Sequence, residues 1–459
     1  MIYVVIKKIW RAKQEVMKSA VVSDESRILD EEIQGIFFDG KKDLTKNLKF
    51  NEETGNFNPF QINEEHYTLT QEPEGKYLHH FTPMPSRKDE KGKNDKDDLP
   101  AKKIAEGVFE WIKTHGATES LAVLGGDSTN TITGHKGGAI YHVENMLGHK
   151  CHWSICMIHI NELPLRHLIE NLDGKSNSST GFSGPIGKLL PKVHDFPVND
   201  NFMVMSDGED LIELPQDVIS SLSTDQHNCY LLVKAIKSGH LDKNLKNRKC
   251  GPLNHSRWLT TGQALMMLWI RYHGLQGEPL EAFKFIIKFG LQSYFKLYFD
   301  IKVKHKLVDG PNHIITSLRL LRSQDEKTQE IVKKCMSSGA YHAHPENVIL
   351  SLLASENKKD RIFAIDQILK LRGTNEFGSM DVRIRRTPDI NFNATSLTNL
   401  IFWDNIKCYE PVFTCKYSKG ELLMFKDSPM IAPDFPIHTQ STERVIQIVS
   451  KASQMVFGE

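Results

Sequence analysis

Along the first 170 residues, short apolar runs broken by turn residues alternate with longer stretches of helical period. Ile33 to Phe38 (IQGIFF) reads as a strand that terminates at Asp39-Gly40, and His66 to Thr70 and Lys76 to Thr82 read as two more. Pro100 opens a helix with Ile104, Val108, Phe109 and Ile112 at helical spacing. Leu121 to Leu124 is an apolar run that ends in Gly125-Gly126 and delivers Asp127 into the polar turn Ser128-Thr129-Asn130. A strand that stops at a carboxylate beside small residues exposes that carboxylate at a sheet edge, where it can hold a metal. A short helix from Gly138 to Leu147, a strand from Trp153 to Ile158 and a helix from Leu163 to Leu172 complete this part. Taken alone, the periodicity predicts an α/β fold.

Beyond it the pattern changes. Gly174 to Gly187 is rich in Gly and Ser and marks a boundary. From about Leu189 to Met424 the periodicity is mainly helical, as in Trp258 to Tyr272, Pro279 to Leu297, His313 to Leu321 and Pro345 to Ala354. A last helix, Ser441 to Val456, carries Val445, Ile448, Val449, Ala452 and Met455 on one stripe and is expected to return to the α/β core. The expected organisation is a helical segment at 1–30, the first part of the α/β core at 31–172, an all-α insertion at 173–425 and the returning helix at 426–459. The first segment has no Cys/His spacing suited to a zinc finger, and Ser86 to Asp98 is a charge-rich loop.

With 459 residues, 39% hydrophobic and 25% charged, the chain has the composition of a globular protein large enough for more than one domain. No apolar run approaches the length of a membrane span. Met1 to Ile6 is too short for a signal sequence and is followed by Lys7-Lys8. Seven scattered cysteines then point to reduced thiols in the nucleus or cytoplasm rather than to secretion. The net charge of +1 confines any nucleic-acid contact to local runs such as Lys243 to Lys249, Lys302 to Lys306 and Arg383 to Arg386. Such runs are more often solvated faces.

The chemistry that suits strand-end carboxylates is phosphodiester cleavage. Two divalent metals about 3.5–4 Å apart activate the attacking oxygen and stabilise the leaving one, and Mg²⁺ or Mn²⁺ prefers carboxylate ligands. Asp39 and Asp127 are the candidates. Asp-Gly after an apolar run is also a common turn, and Asp after Gly-Gly tolerates unusual dihedrals, so both have an ordinary structural explanation. Asp43 is the nearest rival to Asp39. Cys156 and His159 form a Cys-x-x-His pair with no second pair at zinc-ligand spacing, although His342 and His344 could supply one through the fold. Gly181 to Lys188 tempts a phosphate-loop reading but fails on spacing, with Leu189 where Ser or Thr is required.

This order of parts resembles the ribonuclease-H-like core of cut-and-paste DNA transposases of the hAT-like kind, in which the second catalytic Asp ends one strand and a Cys-x-x-His signature follows the next. Phe435 to Val445 (FPIHTQSTERV) resembles the segment of that family in which a Ser and a Glu-Arg pair open the returning helix. The resemblance spans about Ile33 to Phe457. It implies a ribonuclease-H-like mixed sheet interrupted by a large all-α insertion, with Asp39, Asp127 and Glu443 as metal-binding catalytic residues. It implies Mg²⁺ or Mn²⁺ as cofactor, DNA as substrate and partner, and a homo-oligomer as a further expectation. Cys156 and His159 would be a structural signature. Arg257 and Trp258 resemble an Arg-Trp motif that contacts DNA, although a Trp heading an apolar helix is more often core. Glu346, in the first turn of the helix at Pro345, is the rival third carboxylate. A catalytically inactive, domesticated protein that binds DNA or protein is the alternative. An exonuclease of this fold would need a second acid two residues after Asp39, where Lys41 stands.

Overall fold

The computed structural model describes residues 32–52, 55–84, 99–176, 181–251, 253, 257–373, 388–405 and 410–457. The expected N-terminal helical segment, the charged loop at 86–98 and the basic run at 383–386 lie outside these residues. The chain is a mixed α/β protein that divides into two compact units. One comprises residues 1–156, 353–386 and 407–459, the other residues 157–352 and 387–406. Among the described residues no helix is long and apolar enough to cross a membrane.

The first unit is built on a five-stranded mixed sheet of order β3-β2-β1-β4-β5. Its strands are β1 (Gly35–Asn51), β2 (Asn56–Gln71), β3 (Lys76–Phe81), β4 (Val123–Gly126) and β5 (His152–Ile155). Strands β1, β2 and β3 form an antiparallel meander, while β4 and β5 run parallel to β1. Strand β1 does not terminate at Asp39-Gly40 as expected but continues to Asn51, paired residue for residue with β2. Residues 42–51 pair with β2 alone, as a two-stranded ribbon beyond the reach of β3 and β4. The hairpin closes through Gly55, whose φ of +66° a side chain would strain.

The β4 sequence Val-Leu-Gly-Gly is buried throughout. Its glycines serve packing: a Cβ on Gly125 would lie 2.4 Å from the Phe37 ring of β1, and one on Gly126 would lie 2.6 Å from Ile132. Helix α1 (Pro100–Thr114), with Pro in its first turn, buries Ile104, Ala105, Val108, Trp111 and Ile112. It approaches β3 at Gly107, where a Cβ would meet the Phe81 ring at 2.2 Å. Helix α2 (Asn130–Thr133) follows β4, and α3 (Ala139–Leu147) ends at Gly148 in the left-handed region. Glu144 of α3, fully buried, accepts hydrogen bonds from the Cys151 amide at 3.0 Å and from the Trp153 indole at 2.9 Å, and pairs with Lys150 at 3.2 Å. These bonds fix β5 to the helix before it.

The strand expected to run to Ile158 stops at Ile155, and helix α4 (Met157–Leu172) starts directly after Cys156. The run Trp-Ser-Ile-Cys-Met-Ile is apolar enough for either element, so its composition carries no signal for the switch.

The second unit is helical. Its core gathers α4, α5 (Thr224–Ser238), α6 (Arg257–Arg271), α7 (Gly277–Phe289), α8 (Phe295–Val303), α9 (Gly310–Arg322) and α10 (Glu326–Gly339). Between α7 and α8, Gly290–Tyr294 forms a buried π-helical turn. The Tyr294 carbonyl there accepts a hydrogen bond from the Asn161 side chain at 3.0 Å. A wide π turn leaves carbonyls off the regular ladder, and Asn161 satisfies this one. Ser223 and Gln226 form a capping box at the start of α5. Helices α11 (Pro345–Leu353) and α12 (Lys358–Gly373) follow in the chain, and α13 (Gln440–Phe457) is its last helix. As expected, α13 returns to the sheet, where it packs on β1 and β2 with a smaller contact to β3.

Candidate functional site

Asp39 and Asp127 are brought together by strand register. In the parallel pair β1 and β4, Gly35 faces Val123, Ile36 faces Leu124 and Phe37 faces Gly125. Two residues beyond the last of these pairs lie Asp39, within β1, and Asp127, just past the end of β4; the same register continued would set them level on backbones about 4.8 Å apart. The missing side chain at Gly125 lets the Phe37 ring pack against the β4 backbone.

Both carboxylates are largely withdrawn from solvent, Asp39 at 4% and Asp127 at 9% exposure. The exposure expected for Asp127 at a sheet edge is not found. Instead β4 is an inner strand, and its carboxylate is tucked into the turn that follows. There Asp127 Oδ1 accepts from the Thr129 amide at 2.9 Å and from the Thr129 hydroxyl at 2.7 Å, which sets the entry into α2. Asp39 Oδ1 accepts from the Gly40 amide at 2.8 Å. The turn role and the inward placement therefore coexist, each aspartate being oriented by a bond to one oxygen.

Sequence reasoning misses Tyr67. It lies opposite Gly40 in the β1–β2 register, and a Cβ on Gly40 would be 2.5 Å from its ring. The Tyr67 hydroxyl donates to Glu65 Oε1 at 3.4 Å. Burial raises the phenol pKa, and the negative charges of Glu65, Asp127 and Asp39 raise it further. The group is thus a permanently protonated donor within electrostatic reach of both aspartates. The available signal is the glycine after Asp39, which the aromatic ring requires.

Glu443 lies in the first turn of α13. The seat of this helix on the sheet is polar and buried: the Thr442 and Thr70 hydroxyls are 2.6 Å apart, and Ser154 donates to the Pro436 carbonyl at 2.6 Å. Thr439 donates to Glu443 Oε1 at 3.1 Å, and the Glu443 amide closes the turn onto the Thr439 carbonyl. Glu443 comes within 4.8 Å of the Cys156 thiol. Asp39, Asp127 and Glu443 do not all place oxygens within 4.8 Å of one another.

Cys156 ends β5, where its buried amide still bonds to the Gly126 carbonyl at 2.9 Å. It thus continues the β4–β5 ladder to the level of Asp127. His159 lies in the first turn of α4, not at a strand end. Arg166 pairs with Glu170 at 3.1 Å, and Glu162 is buried.

The remaining positions fall in the helical unit or on α11. Trp258 heads α6, half-buried, edge-on to Phe182 at 6.2 Å; the Arg257 side chain lies outside the described residues, as does that of Asp43. Glu346 is buried in the first turn of α11, 3.8 Å from His344. The amides of Ile186 and Gly187, in the stretch that tempts a phosphate-loop reading, both bond to the Asp173 carboxylate at 2.8 and 2.7 Å. An internal carboxylate takes the place a phosphate would need. In the basic run at 243–249, Lys246 pairs with Asp200 and Arg248 bonds to Asn228 at 2.6 Å.

No family model, curated protein or solved structure matches this chain.

Proposed function

We propose that this protein cleaves and transfers DNA strands in a reaction that depends on Mg²⁺ or Mn²⁺, on a ribonuclease-H-like core of the transposase kind. The observation that carries this reading is the placement of Asp39 and Asp127 on two adjacent parallel strands, two residues beyond their last paired positions, both buried. Two like-charged carboxylates held side by side are costly unless something positive sits with them, and hard oxygen donors suit a hard divalent cation. Asp39 and Asp127 would hold that cation. Glu443, on the helix seated on the same sheet, is the third ligand. Its carboxylate would turn from Thr439 and Cys156 toward the aspartates. The bound metal would activate the attacking oxygen and stabilise the leaving one. Tyr67 would donate a hydrogen bond to an oxygen held between the aspartates, exchanging it for the one it makes to Glu65.

That Asp39, Asp127 and Glu443 do not all converge within 4.8 Å favours one second reading: a domesticated protein that keeps the fold and binds DNA or protein without cleaving. The deciding experiment is a supercoiled-plasmid and labelled-oligonucleotide cleavage assay in Mn²⁺, in Mg²⁺ and in EDTA. The first reading expects metal-dependent nicking that falls at least about 100-fold in Asp39→Asn, Asp127→Asn and Glu443→Gln, the scale set by losing several kcal/mol of metal assistance. Activity that survives Asp39→Asn, or none in any metal from well-folded protein, sinks it.

A further inference from the structure

Beside the aspartates and the hydrogen-bonded Glu144, the described residues of the first unit bury one more carboxylate that the proposed chemistry does not use. Glu72 ends the β2 side of the sheet, its amide bonded to the Gly35 carbonyl at 3.1 Å. Its side chain is 1% exposed, and neither carboxylate oxygen makes a hydrogen bond of good geometry. What it faces is the N-terminal turn of α13. Gly75, in the turn after Glu72, packs so closely on that helix that an added Cβ would lie 2.7 Å from Cβ of Ser441 and 3.8 Å from Glu72 Oε1. The same seat includes the Thr70–Thr442 hydroxyl pair at 2.6 Å and the Phe435 ring, which would meet a Cβ on Gly35 at 2.4 Å.

We propose that Glu72 is a proton-operated latch that positions helix α13, and with it Glu443, against the sheet. A neutral carboxylic acid can stay buried in this seat. An ionised one needs water or a countercharge, and the first turn of α13 is the part of its surroundings that can open to admit water. The surrounding groups agree. Burial lifts the Glu72 pKa to about 7, and the only opposing influences are the nearby Ser441 hydroxyl and Gly75 amide; among the described residues no charged side chain contributes. The charged pair in that turn, Glu74 with Lys76 at 2.9 Å, faces outward, with Glu74 mostly exposed.

The sign follows from linkage. The folded state holds this proton more tightly than the unfolded chain, whose carboxyl titrates near 4.5. Glu72 therefore contributes its full stability below about pH 4.5 and loses it as pH rises through about 7. The latch itself does not rest on the nuclease reading; only its consequence for catalysis does.

The test therefore uses no substrate. Chemical unfolding of the full chain and hydrogen exchange of the α13 amides are followed from about pH 5 to about pH 8.5 in wild type and in Glu72→Gln. The expected result is that wild type weakens relative to Glu72→Gln by up to about two orders of magnitude in its folding equilibrium across that range, with α13 amides losing protection first. A Ser441→Ala variant, which removes an influence that lowers the pKa, shifts the transition to higher pH. This variant also keeps the test open should Glu72→Gln fail to fold. A difference between variant and wild type that is the same at every pH, or an α13 whose protection ignores pH, overturns the proposal. Loss of cleavage without either change bears on the proposed reaction alone.

Discussion

At the scale of single residues, the site joins two kinds of constraint on the same side chains. Asp127 orients a turn through one oxygen, so a substitution there would disturb local structure together with the proposed metal binding. Tyr67 separates the two effects more cleanly, because Tyr67→Phe keeps the ring that covers Gly40 and removes only the hydroxyl. A hydrogen bond to a charged group is worth about 1.5–3 kcal/mol, so cleavage should fall about 10- to 100-fold while the unfolding midpoint moves little. Steady-state cleavage beside urea unfolding of the same preparation measures both. Unchanged cleavage would show that the phenol only packs. Its raised pKa also means that Tyr67 adds no limb of its own to the pH–rate profile in the neutral range.

At the scale of elements, the sequence is legible where burial imposes a period and silent where backbone pairing or packing decides. The strands around Phe37 and Leu124 and the helix opened by Pro100 can be read because their buried faces repeat. The ribbon from Gly40 to Asn51 cannot, since its pairing with β2 leaves little apolar imprint. The change from strand to helix at Cys156 is hidden in a run that suits either element. The two aspartates are legible as the ends of apolar runs, but the continuation of β1 past Asp39, their burial and the approach of Tyr67 depend on register, which composition does not carry. Gly125 is instructive: a turn signal in the sequence, it is a packing device for Phe37 in the fold. Gly125→Ala should therefore cost about 1–3 kcal/mol in urea unfolding, the usual range for overpacking a core, and also separate the aspartates. Gly137→Ala, where a Cβ meets nothing within 4 Å, is the control and should stay within about 0.5 kcal/mol of wild type. Equal effects at the two positions would contradict the packing explanation.

For the molecule as a whole, a net charge of +1 supplies no global field that compensates the buried acids, so their relief is local. Two carboxylates on backbones about 5 Å apart would repel by up to roughly 3 kcal/mol at an effective dielectric of about 20, reduced by the bonds that Gly40 and Thr129 make to them. Opposite signs are then expected with and without metal. In EDTA, Asp39→Asn should unfold at a higher temperature than wild type, because a repulsion is gone; about 1 kcal/mol corresponds to roughly 2–4 °C for units of this size. With Mn²⁺ at about 100 times its Kd, wild type should gain about 2.7 kcal/mol and overtake the variant, which should gain little. Differential scanning calorimetry on both proteins, in EDTA and across a Mn²⁺ series, measures the crossing. A wild type that Mn²⁺ leaves unmoved, with Asp39→Asn more stable throughout, would mean that the paired aspartates hold no metal, and the domesticated, non-cleaving reading would then account better for the fold. Crossing curves would make the strain at Asp39 and Asp127 the stability given up for metal binding, which is the pattern expected of a working site.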